Sequence, residues 1–177
     1  GAEYCIDVAE RKPLPWSNLL AGEKLGSLIS AGGGGYTWVG NARMLRLTPF
    51  RNDALTDVPG EGVLIRNDRT GRAFSAAPDL YKDGKYHVIH GFGYTSFEHF
   101  GSVYTNLTWY VDKTMPVKAG LLSIKNNTGR DETFSVYCYA EPVLGASVSS
   151  GIRADKKGDR IEAHSASQAA APFAIRP

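Results

Sequence analysis

Long hydrophobic runs, cysteine clusters and helical periodicity are all scarce in this 177-residue chain. No apolar stretch approaches the roughly 20 residues that span a bilayer. The start, GAEYCIDVAERK, is mixed and polar and does not read as a secretory signal. There are two cysteines, Cys5 and Cys138. Neither stands in a metal spacing, and two do not make a disulfide framework. Both lie in strand-like apolar context and are expected to be buried free thiols. Net charge is only +2, with no run of five or six basic residues, so nothing favours nucleic acid or a membrane surface as partner. No long amphipathic helical pattern with caps occurs, and no internal repeat. What remains is 42% hydrophobic and 21% charged, ordinary for a globular chain with a real core.

Strands recur instead. Glu3 to Val8, Gly26 to Ser30, Gly62 to Asn67, Lys85 to His90, Val103 to Val111, Val117 to Asn126 and Glu132 to Tyr139 alternate or run apolar. Weaker strands are expected at Arg160 to Ala163 and Pro172 to Ile175. Glycine, proline, asparagine and aspartate turns separate them, and Asp68-Arg69-Thr70-Gly71 has the chemistry of a hairpin. The pattern predicts an all-β fold, an antiparallel β-sandwich, with 1–177 as one domain and a fragment of a larger protein.

One stretch does not fit a simple strand. Ser30 to Asp53, SAGGGGYTWVGNARMLRLTPFRND, holds four consecutive glycines, two aromatics before its asparagine, and three arginines. Read as a loop, its glycines let backbone approach something closely. Tyr36 and Trp38 offer flat faces, and Arg43, Arg46 and Arg51 offer planar forks of donors. With Asn41, Asn52 and Asp53 this is chemistry suited to a sugar, whose C–H faces stack and whose hydroxyls hydrogen-bond. A network of surface arginines with Asp and Asn is the plainer reading. The run is not a P-loop, which needs GxxxxGK[ST], nor a dinucleotide fingerprint, which needs a following helix. A nest of amides for phosphate is open to it.

Catalytic constellations are hard to find. His87, His90, His99 and His164 form no metal pattern, and His87 and His90 fall on opposite faces of a strand. Glu98-His99 reads as a structural polar pair at a strand end. Asp53, Asp57, Glu61 and Glu98 could supply carboxylates for glycoside hydrolysis, but nothing in the sequence brings two together. There is no GxSxG elbow.

Longer matches go further. GGGGYTWVGNARMLRLTPFRND, DVPGEGVLIRND, TGRAFSAAP, YHVIHGFGYTSFEH, PVKAGLLSIKNNTGR and SVYCYAEPVLG occur in that order. The chain resembles the N-terminal β-sandwich domain of glycoside hydrolase family 94, formerly glycosyltransferase family 36, and within it the phosphorylase-like region of cyclic β-1,2-glucan synthases. The resemblance implies a super-sandwich of galactose-mutarotase-like type, truncated at its C-terminal side, with sheets incomplete after Ala163. Exposed edges would then promote pairing between copies.

It also implies a parent enzyme with an (α/α)6 barrel that cleaves β-glucosides, with inorganic phosphate as co-substrate and no other cofactor. The catalytic acid would lie on that barrel, so this chain is expected to be inactive alone. Tyr36, Trp38, Asn41, Arg43, Arg46, Asn52 and Asp53 are the expected substrate-binding residues, with Arg43 and Arg46 foremost. Phe50 stands where the resemblance leads one to expect tryptophan. Expected partners are a β-1,2-glucan or related β-glucoside, the remaining domains of the parent chain, and a second copy in a homodimer. The parent is expected to be bacterial and anchored in the inner membrane by other segments, with this part on its cytoplasmic side. The rival readings are a stand-alone carbohydrate-binding module and a structural dimerisation domain.

Overall fold

Turn chemistry and period-two alternation translate, among the described residues, into fourteen strands, all paired antiparallel. The structure is a computed structural model that describes residues 2–8, 15–53, 55–78, 84–147, 151–166 and 173–176. No helix occurs among the described residues. The strands are β1 (Tyr4–Asp7), β2 (Ser17–Ala21), β3 (Leu25–Ser30), β4 (Gly35–Val39), β5 (Glu61–Asn67), β6 (Ala73–Ser75) and β7 (Lys85–Gly91). Then follow β8 (Tyr94–Phe100), β9 (Val103–Val111), β10 (Lys118–Asn126), β11 (Phe134–Ala140), β12 (Ile152–Lys157), β13 (Arg160–Ser165) and β14 (Phe173–Ile175).

The largest sheet has the order β1-β7-β8-β9-β10. Its register lines up Ile6, Val88, Phe97, Leu107 and Leu122 as one row across all five strands. Val88, Phe97 and Leu107 in that row are fully buried. Two three-stranded sheets supply the facing apolar residues. Leu20, Ile29 and Ala31 of the β2-β3-β4 side pack on Val88 and Phe97. Val63, Ile65, Phe74 and Ala76 of the β11-β5-β6 side pack on Val103 and Leu107. Trp109 reaches both clusters and joins them. A sheet with one apolar face must bury it against another layer, and this one does so against two short sheets side by side. The fold is therefore the expected antiparallel sandwich.

The opposite face of the large sheet mixes a polar network with exposed apolar side chains such as Leu121 and Tyr110. Glu98 takes His87 Nδ1 at 3.0 Å and the Tyr104 hydroxyl at 2.7 Å. Ser96 donates to Asn106 at 2.9 Å. Glu98 and His99 are thus not a working pair: His99 points inward, with its ring 4.9 Å from both Phe74 and Tyr86.

Three expectations need correction. Cys5 and Cys138 are exposed, not buried. Cys5 sits in the outer row with Ile89, Ser96, Thr108 and Leu121. Cys138 pairs with buried Val63, but β11 is an edge strand that leaves Val136 and Tyr137 exposed as well. The Ser30–Asp53 stretch is not simply loop: Gly35–Val39 is a strand. Finally, β12 was not anticipated, because IRADKK has too short an apolar alternation. The final residues make a separate sheet of order β12-β13-β14. The expected strand from Pro172 begins at Phe173, and Pro172 itself lies outside the described residues.

Two carboxylates close hairpins. Glu132 has a fully buried side chain that accepts from Arg69 and Asn67 and pairs with Arg130. Glu162 accepts from Arg160 at 2.6 Å and Lys157 at 2.7 Å. Arg69 and then Asn67 hold Glu132 down to about 2, and Lys157 and Arg160 do the same for Glu162, from an ordinary 4.5. A depressed carboxylate contributes stability that is present above its unfolded value and lost as pH falls toward its folded one. Denaturation midpoints should therefore hold from neutral pH to about 4.5 and drop steeply toward 2, with a shallower drop in Glu132→Gln. A flat midpoint across that window would refute this assignment.

Candidate functional site

Two hydrogen bonds bend the glycine run into a tight turn, Gly33 N to Ser30 O and Ser30 N to Gly34 O, both 3.0 Å. β4 then pairs with β3, and the stretch returns along its free edge. Val39 donates to Leu45 O at 3.0 Å, Leu47 to Thr37 O at 2.8 Å, and Arg46 bridges Trp38. A second layer follows: Val143 donates to Leu47 O at 2.9 Å and Gly145 to Arg46 O at 3.0 Å. Thr48, fully buried, accepts from Thr37 N at 2.8 Å. The motif is thus a sheet extension with a protruding turn at residues 40–45.

The seven candidate residues divide on this frame. Tyr36 is buried, and its ring lies 4.8 Å from Trp38 and 4.5 Å from Phe50. Trp38 lies half-buried across Gly26, where a Cβ would come within 2.4 Å of the indole. Arg46 stacks over Tyr36 at 5.8 Å and Phe50 at 5.6 Å. Its Nε donates to Ala42 O at 3.2 Å and its Nη1 to Ala146 O at 3.3 Å. Asn41 is exposed, and its Oδ1 accepts from the amides of Arg43 and Met44, both at 2.9 Å. That turn projects Arg43, which is exposed and bonds to no described side chain. Arg51 pairs with Glu141.

Asn52 takes the left-handed conformation, φ 51°, and is exposed. Asp53 Oδ1 caps the next turn by accepting from Leu55 N at 3.0 Å, and its Oδ2 accepts from the Thr56 hydroxyl at 2.6 Å. The Thr56 hydroxyl, then the Leu55 and Thr56 amides, hold its carboxyl below the usual range.

Sequence reasoning offers Asp57 only as one of four carboxylates and misses its place against the glycine turn. Its backbone has φ 43°, its amide donates to Asp53 O at 2.8 Å, and its carboxylate accepts from Ser30 Oγ. A Cβ at Gly34 would lie 2.1 Å from Asp57 Oδ1, so glycine is what admits the carboxylate. Burial pushes Asp57 upward, and the Asp53 charge adds to that. The signal for it was faint: one aspartate in the turn TDVPG. Asp53 and Asp57 do come together, yet Asp53 is occupied by its own turn and Asp57 by Ser30 of the glycine turn. Around the turn, Met44, Leu45, Leu55 and Val58 are exposed apolar side chains. The arrangement can recognise a polar or packed partner; it does not present an acid–base pair. Among the described residues, no group of three or more His, Cys, Asp or Glu side chains could hold a metal.

The sequence profile of the glycosyl hydrolase 94 supersandwich domain matches residues 2–157. The chain belongs to that family. The glycosyl hydrolase 94 supersandwich seen here is 33% identical over 150 residues to the cyclic beta-(1,2)-glucan synthase NdvB of Rhizobium meliloti, covering 82% of this chain and 5% of that protein. It is 28% identical over 168 residues to the N,N'-diacetylchitobiose phosphorylase of Vibrio proteolyticus, covering 92% of this chain and 20% of the relative. The same enzyme of Vibrio furnissii is 31% identical over 135 residues, covering 73% and 17%. The supersandwich chain therefore spans at most a fifth of the length of these relatives. No helix among the described residues is long and apolar enough to cross a membrane.

Proposed function

We propose that this chain is the non-catalytic sandwich domain of a cyclic β-1,2-glucan synthase or a related phosphorylase-like glycosyltransferase. It walls the glucan site and packs on the (α/α)6 catalytic barrel of its parent. The observation that carries the reading is the turn at residues 40–45, where Asn41 holds an outward Arg43 beside the exposed apolar side chains of Met44 and Leu45. A charged fork set in apolar surface suits a seat against another domain that also touches hydroxyls. The identity to NdvB supports a β-glucan over other sugars. In this reading inorganic phosphate is the parent's co-substrate, and the parent is anchored at the inner membrane with this domain on the cytoplasmic side.

A second reading, an interface between copies, draws on the edge strand β10, where Leu121 is 69% exposed.

Arg43→Ala for the first reading and Leu121→Glu for the second, each in the full-length parent, test the two in turn. In Arg43→Ala, loss of one charged contact should lower glucan phosphorolysis about tenfold, while size-exclusion behaviour and melting temperature stay as in the wild type. Altered assembly in Leu121→Glu with an unaffected rate per active assembly would support the interface reading instead. Wild-type rates in Arg43→Ala would remove Arg43 from the first reading, and wild-type assembly in Leu121→Glu would remove Leu121 from the second.

A further inference from the structure

Three turns meet at one end of the sandwich: residues 67–72 between β5 and β6, 101–102 between β8 and β9, and 127–132 between β10 and β11. They enclose a cleft of about 560 Å³, floored by Phe74 and His99 and walled by Arg69, Arg72 and Arg130. No residue of the Ser30–Asp53 stretch lines it. A smaller hollow of about 260 Å³ adjoins it, lined by Phe100, Tyr104 and Lys125, and the two share Gly101 and Asn127.

Glu132 organises the cleft. Its buried carboxylate accepts from Arg69 Nη2 at 2.6 Å and Asn67 Nδ2 at 3.0 Å, and Arg130 Nε stands 3.1 Å away as an ion pair. Arg69 Nε also reaches both of its oxygens, at 3.1 and 3.0 Å. A carboxylate with these donors fixes the Arg69 guanidinium plane and holds Arg130 beside it by charge. Both arginines remain at least half exposed, at 50% and 64%. Arg69 has Nη1 left over, and Arg130 has both Nη groups. Among the described residues, four cationic side chains line the combined cleft against one carboxylate, so its field favours an anion. Its volume lies in the range of small-molecule sites and exceeds what a bare oxyanion fills. Phe100 and Tyr104, with ring centroids 5.5 Å apart, add an apolar face of the kind a sugar ring packs on.

We propose that this cleft binds a saccharide bearing an oxyanion, a phosphate monoester or a carboxylate, with Arg69 and Arg130 holding the anionic group and the sugar body lying toward Phe100 and Tyr104. The site is independent of the glucan wall proposed above. Glu132 is a positioning residue in it.

Calorimetric titration of the 177-residue chain with glucose 6-phosphate, glucuronate, glucose and inorganic phosphate tests the assignment. At least one of the two anionic sugars should bind saturably, and which one does separates phosphate from carboxylate recognition. Glucose should bind at least about tenfold more weakly, the equivalent of losing one charge-assisted contact. Inorganic phosphate should bind more weakly than the sugar phosphate. Arg130→Gln, on an exposed turn, should weaken the anionic sugar at least about tenfold with an unchanged melting temperature. Arg43→Ala should leave this binding alone, which keeps it separate from the loop reading. Absence of binding by both anionic sugars, equal affinity for glucose, inorganic phosphate as tight as the sugar phosphate, or an unchanged affinity in Arg130→Gln would each overturn the proposal.

Discussion

Gly35→Ala is expected to destabilise the chain by roughly 3–5 kcal/mol, the sum of a left-handed strain and a backbone clash. Gly35 has φ 117°, a region that L side chains rarely adopt, and a Cβ there would lie 2.0 Å from Leu28 O. The atom it would strike is backbone, inside the β3–β4 pairing where Gly35 opposes Ile29. Neither strand can retreat cheaply, because Ile29 is buried in the core and Thr37 is held by Thr48 and Ser27. Gly71→Ala is the control. It too has positive φ, 73°, but nothing stands within 4 Å of its Cβ. It should cost only about 1–2 kcal/mol, the strain alone. At the ~2–4 °C per kcal/mol expected for a chain of this length, Gly35→Ala should lower the melting temperature by about 10 °C and Gly71→Ala by a few degrees. Equal losses in the two variants would show that the clash carries no weight and that β4 is looser than the geometry implies.

Much of this scaffold is legible in the sequence, and the reason is local. Tyr86, Val88 and His90 share one face of β7, as Val103, Thr105 and Leu107 share one face of β9, and each set is buried. Asp68 to Gly71 turns the chain between β5 and β6 as its composition requires. What could not be read depends on partners distant in sequence. Gly35–Val39 looks like loop because glycines weaken any strand assignment. It becomes a strand because Leu28 and its neighbours offer a ladder, and because glycine alone fits against Leu28 O. Cys138 looks buried because alternation cannot tell an edge strand from a central one. β12 offers only Ile152 and Ala154 on one face, too short a run to read as a strand; Glu162 and its cations brace the hairpin instead.

The site shows the same division. Arg43 and Arg46 are the same residue type three positions apart, and the sequence ranks them equally. The structure separates them because residues 45–47 pair with β4 on one side and with residues 143–145 on the other. That pairing, across about a hundred residues, turns Arg46 onto its own chain and leaves Arg43 on the turn. Asp57 was hidden for a related cause: its importance comes from Gly34 and Ser30, more than twenty positions earlier.

Arg46→Ala should therefore act on stability before it acts on any ligand. The guanidinium lies over two rings, at 5.8 and 5.6 Å, and donates to two main-chain carbonyls, those of Ala42 and Ala146. Partly desolvated cation–π stacking is worth about 0.5–2 kcal/mol, and charge-assisted hydrogen bonds about 1.5–3 kcal/mol. The contacts are not additive and the 3.3 Å bond is long, so the expected loss is roughly 2–3 kcal/mol. Arg46→Lys keeps a cation over the rings but not the planar fork that reaches both carbonyls, and should lose about half as much. Arg43→Ala, on the exposed turn, should change stability by no more than about 0.5 kcal/mol. Denaturant midpoints for the three variants decide the matter. If Arg46→Ala melts with the wild type, its guanidinium is available to an outside ligand, and the equal ranking of the two arginines as glucan contacts regains its force. If it unfolds early, the stack of Tyr36, Phe50 and Arg46 is internal bracing. Glucan recognition at this loop then falls to Arg43 and the groups exposed beside it.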